Sequence, residues 1–221
     1  MPISPIYKSH FEEERSYHII CKCIPGEKLF RNEENKKYFL QRYDFYLSDF
    51  CKTFCYCLLD NHVHFLVQVR NIAEIESLLK YIPWTSLSQT QKHFLKGSVK
   101  DINTLIEKQF NSFFVSYVRS FNIRYERVGH LFIRPFRRIL IEQDEHFTQL
   151  VIYIHANPMK HKLCDDFTKY RWSSYQSIIS SRNTKLEREY LLNRFGGKEL
   201  FIKTHQLQAQ YYYAHSLALE D

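Results

Sequence analysis

Glycine is scarce in this chain. Five among 221 residues are too few for a repeat or loop-rich protein, whose turns lean on residues able to take positive φ. Long apolar runs are also missing: no stretch approaches the roughly 18 consecutive apolar residues of a membrane-spanning helix. Met1 to Pro5 lead toward acidic Glu12, Glu13 and Glu14, not into a basic and then apolar leader. The expectation is a cytoplasmic protein with no membrane partner. Cys21, Cys23, Cys51, Cys55, Cys57 and Cys164 contain no CxxC pair, which argues against a zinc knuckle. Buried thiols in a reducing compartment fit their alternating, strand-like positions.

What is present is a globular composition, 44% hydrophobic and 25% charged, long enough to bury a core. A formal charge of +7 favours a polyanionic partner, because each cation that neutralises a phosphate releases a counterion. Aromatics reach 16%, which supplies either a core or faces on which unpaired bases stack.

Residues 17–24 are β-branched and aromatic and end at Pro25-Gly26, a first strand. Asn32 opens a helix with Glu33 and Glu34 in its first turn, and Phe39, Leu40, Tyr43, Leu47 and Phe50 recur on its apolar side. Residues 53–59 and 62–69 read as two strands joined by an Asp60-Asn61 turn. In the latter strand Val63, Phe65, Val67 and Val69 point to a core, while His62, His64, Leu66 and Gln68 form a mixed face. A short helix follows over residues 72–82, then an inserted loop over about residues 84–104. A helix at about 105–121, a strand at 131–141 and a helix at about 145–157, capped by Asp144 and stopped by Pro158, complete the series. The order is that of an α+β, ferredoxin-like split βαββαβ sheet with one added helix. Residues 1–181 form the main domain in this reading, and 182–221 a helical C-terminal appendage.

Two clusters carry chemistry. His62 and His64, two apart on a strand, share a face and make a ready pair of metal ligands; the same pattern also arises by chance. Asp60 and Asn61, just before, can orient a ring through its other nitrogen. Tyr153 and Asn157 stand one helical turn apart and present a phenol and an amide oxygen on one side. The same pair also suits a buried tyrosine and a helix-capping asparagine. Two imidazoles and an oxygen suit Mg²⁺ or Mn²⁺ at a phosphodiester, with Zn²⁺ compatible by ligand type. His155 is two residues from Tyr153 on a helix and therefore points elsewhere. Arg119, Arg124, Arg127, Arg134, Arg137 and Arg138 form a basic run with only Glu126 against it, suited to phosphates and guanine edges. Trp172 and Tyr175 serve equally as core packing or as stacking faces.

The segment Leu58-Leu59-Asp60-Asn61-His62-Val63-His64-Phe65-Leu66-Val67 resembles the His-hydrophobic-His signature of the HUH single-tyrosine transposases. Tyr153 to Pro158 is similar to the tyrosine helix of that family. Gly129-His130-Leu131-Phe132, Arg134-Pro135-Phe136 and Trp172-Ser173-Ser174-Tyr175 resemble further blocks of its REP-associated branch, in the family's order. The resemblance implies a ferredoxin-like fold and a divalent cation, Mg²⁺ or Mn²⁺. It implies cleavage and rejoining of single-stranded, hairpin-bearing DNA through a covalent 5′-phosphotyrosine. It makes Tyr153 the nucleophile, His62, His64 and Asn157 the metal ligands, and Arg124, Arg127, Arg134, Arg137 and Arg138 a DNA-binding set, in a monomer or homodimer. Asp60 stands where the family often has proline, and Met159-Lys160-His161-Lys162 replaces a Val-Arg-Ala-Gly-like run. A non-catalytic DNA-binding protein of the same fold, and a phosphodiesterase without a covalent step, are the competing readings.

Overall fold

The computed structural model describes residues 8–98 and 101–214, with side chains through 209. The leader reading at residues 1–5 and the end of the C-terminal segment fall outside these. Four strands, β1 (Ser16–Lys22), β2 (Cys51–Leu58), β3 (His62–Val69) and β4 (Arg137–Ile141), form one sheet in the order β2-β3-β1-β4. Every neighbouring pair is antiparallel. With its flanking helices this is a mixed α/β fold consistent with a ferredoxin-like topology.

Alternation along the strands gives each face of the sheet its own core. Tyr17, Ile19, Val63, Phe65, Val67 and Val69 pack on one face against α1 (Glu33–Leu47) and α4 (Ile102–Arg124). Phe39, Tyr43 and Phe113 fill that layer, with the Tyr43 and Phe65 rings stacked at 4.2 Å. Ile20, Cys55, Cys57 and Leu66 pack on the opposite face against α5 (Asp144–Lys160). A second helical layer lies beyond α5. Leu191 of α7 (Arg188–Arg194) and Phe201 of α8 (Lys198–Ala214) are buried in the same cluster as Val151 and Ile154.

Asn32 caps α1, its side chain accepting from Asn35 N at 3.0 Å. The Asp60-Asn61 turn is closed by Leu59 N donating to His62 O at 2.9 Å. All six cysteines are reduced; five are buried and Cys164 is half-buried. Burial raises the Cys21 and Cys57 thiols well above the usual range and pushes Cys51 to about 12, so they remain protonated packing groups.

Four expectations need correction. Residues 84–104 are not an irregular loop. A short 3₁₀ turn at Trp84–Ser86 leads to α3 (Gln89–Leu95), opened by a reciprocal cap between Ser88 and Gln91. The following helix α4 starts at Ile102, where Asp101 accepts from the backbone of Asn103 and Thr104. The strand foreseen over residues 131–141 is split: Phe132 bridges Cys23, and Pro135, lacking an N–H, separates that bridge from β4. Helix α5 runs through Pro158 to Lys160, and its N-cap is Gln143; Asp144 sits in its first turn and pairs with Arg194.

Candidate active site

The site lies where β3 meets α5. Tyr153, Asn157 and His161 follow one another at intervals of four along α5 and its C-cap, so they share a side of the helix. The Tyr153 ring stands edge-on to His64 with centroids 5.8 Å apart. The His161 ring stands edge-on to His62 at 4.6 Å. Asn157, midway between the two helical contacts, therefore faces the histidine pair, whose own rings are 4.9 Å apart. Lys160 extends its ammonium over the Tyr153 ring at 5.6 Å.

These groups are deeply placed: His64 is 0% exposed, Tyr153 and Asn157 1%, His62 4%. The Asn157 amide has neither its oxygen nor its nitrogen hydrogen-bonded among the described residues. A buried amide in that condition costs about 1–3 kcal/mol, so its position calls for an explanation. Among the described residues no group of three or more His, Cys, Asp or Glu is arranged to hold a metal ion. A cation held by His62 and His64 would thus take its third protein ligand from a neutral oxygen, and Asn157 Oδ1 is of the right chemistry.

Hydrogen bonds settle one ring's protonation. His62 Nδ1 lies 2.7 Å from Asn61 Oδ1; that oxygen only accepts, so Nδ1 carries a proton, and in the neutral ring the lone pair is on Nε2. Asp60, also foreseen as a ring-orienting group, is engaged elsewhere. It pairs with Lys36 at 3.3 Å and Lys28 at 3.7 Å. His64 Nδ1 lies 2.9 Å from His18 Nε2 of β1.

His155 faces away from the tyrosine, as the helical spacing requires. It is buried between α8 and the segment after α5, and for neutral rings its hydrogen bonds run in one direction. His205 Nδ1 donates to the Phe201 carbonyl at 2.8 Å, so His205 Nε2 accepts from His155 Nδ1 at 2.9 Å. His155 Nε2 then accepts from Ser174 Oγ at 2.8 Å, and that oxygen accepts from Tyr56 N at 2.9 Å. Both imidazoles are neutral. Burial holds His155 well below the usual imidazole range and lowers His205 to about 4.

The five arginines foreseen as a DNA-binding set divide. Arg127 pairs with Glu27 at 2.8 Å and donates to Asn122 at 2.7 Å. Arg138 pairs with Glu107, donates to the Ser9 carbonyl at 2.6 Å and covers the Phe11 ring. Both are largely buried ties within the fold. Arg124 pairs with Glu34 at 2.6 Å but stays half exposed. Arg137 is half-buried on β4. Arg134 is exposed and lines two adjoining surface cavities, one of about 370 Å³ beside Phe136 and one of about 830 Å³ beside Arg119 and His130. Trp172 and Tyr175 are buried packing residues, with Leu58 N donating to the Trp172 carbonyl at 2.9 Å.

Compared with known proteins, the chain is similar to the solved structure of a REP-associated tyrosine transposase bound to a REP hairpin. The match spans 81% of this chain and 87% of that one, with a TM-score of 0.51 at 10% identity. In fold, the chain is similar to a tyrosine transposase. No family model and no curated protein matches it. Among the described residues no helix is long and apolar enough to cross a membrane.

His18 and His161 were not singled out by sequence reasoning. The alternation Tyr17-His18-Ile19-Ile20 does place His18 on the Ile20 face, but its partner depends on a strand register that one sequence does not reveal. His161 enters because α5 continues past Pro158.

Proposed function

We propose that this chain binds DNA as a transposase-like protein, and that the Tyr153 cluster makes it a strand-cutting one acting on single-stranded, hairpin-bearing DNA. One observation carries the reading. Folding brings Tyr153 of α5 beside His64 of β3, with the unsatisfied Asn157 amide one turn along the same helix. A residue chosen only for packing would not leave a buried amide without partners.

The donor set fits a divalent cation, Mg²⁺ or Mn²⁺: Nε2 of His62 and His64 and Oδ1 of Asn157 would hold it. Such an ion polarises a scissile phosphate and offsets the charge that develops on it. Tyr153 Oη attacks phosphorus, the P–O3′ bond breaks, and the tyrosine proton ends on the departing 3′-hydroxyl. The 5′-phosphate stays on Tyr153, which conserves the bond energy, so a 3′-hydroxyl can reverse the step and join strands. Arg134 and Arg137 supply positive charge on the same chain for the DNA backbone.

A second reading is a non-catalytic DNA-binding protein of the same fold. It is favoured by the burial of His64 and Tyr153 and by the lack of a three-residue His, Cys, Asp or Glu metal group among the described residues. A denaturing gel with a labelled hairpin-bearing single strand and Mn²⁺ separates the readings. A covalent adduct formed by wild type and absent from Tyr153→Phe is the expected result. Binding with no cut strand would establish the non-catalytic reading, and cutting retained by Tyr153→Phe a phosphodiesterase.

A further inference from the structure

We propose that His18 is a positioning residue for His64, fixing the ring with its proton on Nδ1 and its lone pair on Nε2. The inference rests on the reading of His64 as a cation ligand.

His18 lies on β1 directly opposite Leu66 of β3, while His64 is opposite Ile20. His18 and His64 are therefore diagonal neighbours on one face of an antiparallel pair, a separation that long side chains bridge. They do so here, Nε2 to Nδ1, at 2.9 Å with both residues fully buried. One of the two nitrogens must donate. If His64 Nδ1 donates, its lone pair falls on Nε2, the opposite edge of the ring. That is the arrangement Asn61 imposes on His62. Each histidine of the pair then has a partner on Nδ1 and an acceptor nitrogen on Nε2, as metal-bound imidazoles require. The reverse tautomer would place a proton on His64 Nε2 and leave only one usable nitrogen in the pair.

The sequence around His18 supports a role beyond filling space. Ile20, its neighbour on the same face of β1, does the ordinary packing against α5. His18 also meets the Tyr153 ring edge-on, centroids 6.4 Å apart, so the phenol, His64 and His18 form one continuous wall. The hydrogen bond to His64 gives a bulky polar ring in that wall a role.

The test uses the full chain, metal-free, with ¹⁵N-labelled histidine. Long-range ¹H–¹⁵N correlation reports which nitrogen of His64 is protonated, and Mn²⁺ titration reports affinity separately. We expect Nδ1–H for His64 in wild type. His18→Phe should lose that preference and bind Mn²⁺ about tenfold to a hundredfold more weakly. His18→Gln, whose amide oxygen can still accept from Nδ1, should restore both. A protonated Nε2 on His64 in wild type overturns the proposal, whatever the fate of the variants. So does unchanged tautomer and affinity in His18→Phe. Wild type with His64 Nδ1–H but no affinity for Mn²⁺ would instead overturn the cation reading and, with it, any function for this positioning.

Discussion

His155 of α5 donates its Nδ1 proton to Nε2 of His205 on α8 across 2.9 Å, joining the helix that carries Tyr153 to the last helix described. The bond exists only while His205 Nε2 keeps its lone pair. A proton on His205 Nε2 would set two N–H groups face to face in a buried space.

Fold stability should therefore depend on pH. The folded pKa of His205, about 4, lies below its ordinary 6.5. The unfolded chain then holds more protons between these values. Stability is full above the higher value and is lost as pH falls through the window. Urea unfolding should show a loss on the order of 2 kcal/mol between about pH 7.5 and about pH 5. His205→Gln should start lower and give a flatter profile; a profile as steep as wild type would reject the assignment.

Asn157 gives the sharpest contrast between stability and function. Its unsatisfied amide costs free energy in the metal-free fold, and replacement by an apolar group of similar volume removes that cost. Asn157→Leu should be as stable as wild type without metal, or more so by about 1 kcal/mol. It should lose the rise in melting temperature that Mn²⁺ gives wild type. Calorimetry with and without Mn²⁺ measures both.

The arginines should separate by role. Arg138→Ala breaks a largely buried pair with Glu107 and the bond to Ser9, and should destabilise by about 2–3 kcal/mol. Arg134→Ala should leave unfolding unchanged and weaken binding to a hairpin-bearing strand, with the slope of log K on log salt reduced by about 1. Equal effects of the two on unfolding would refute this division.

Phe201 anchors α8. Its ring lies 4.0 Å from His205 and 4.9 Å from Phe195, centroid to centroid, and is fully buried. Phe201→Ala should cost about 3–5 kcal/mol in chemical denaturation. A loss below about 1 kcal/mol would mean that the C-terminal helices contribute little to the core.

Much of this was legible because local rules and global packing agree. The His62 to Val69 strand alternates, so a period of two alone assigned Val63 and Phe65 to one face and His64 to the other. Asn32, Glu33 and Glu34 announced α1. The helical period alone pairs Tyr153 with Asn157. Other features depend on partners distant in sequence. Ion pairs between Arg127 and Glu27, and between Arg138 and Glu107, made ties of residues whose clustering suggested a groove. His18 required the β1–β3 register, and Gln91 required recognising that Ser88 begins a helix. Pro158 misled because proline disfavours a helix interior, yet α5 keeps one more turn, with His161 N donating to the Asn157 carbonyl at 3.1 Å.

The clasp on α5 also bears on how many molecules a reaction needs. This helix is gripped by the sheet on one side and by Phe201 and His205 on the other, and its phenol stands beside the imidazole of its own polypeptide. Lending that helix to a second copy would mean prising open two buried layers. A lone subunit that keeps them shut holds the Tyr153 and His64 pair within one chain; on the strand-cutting reading proposed above, a reaction on two strands would recruit two such subunits or use one twice.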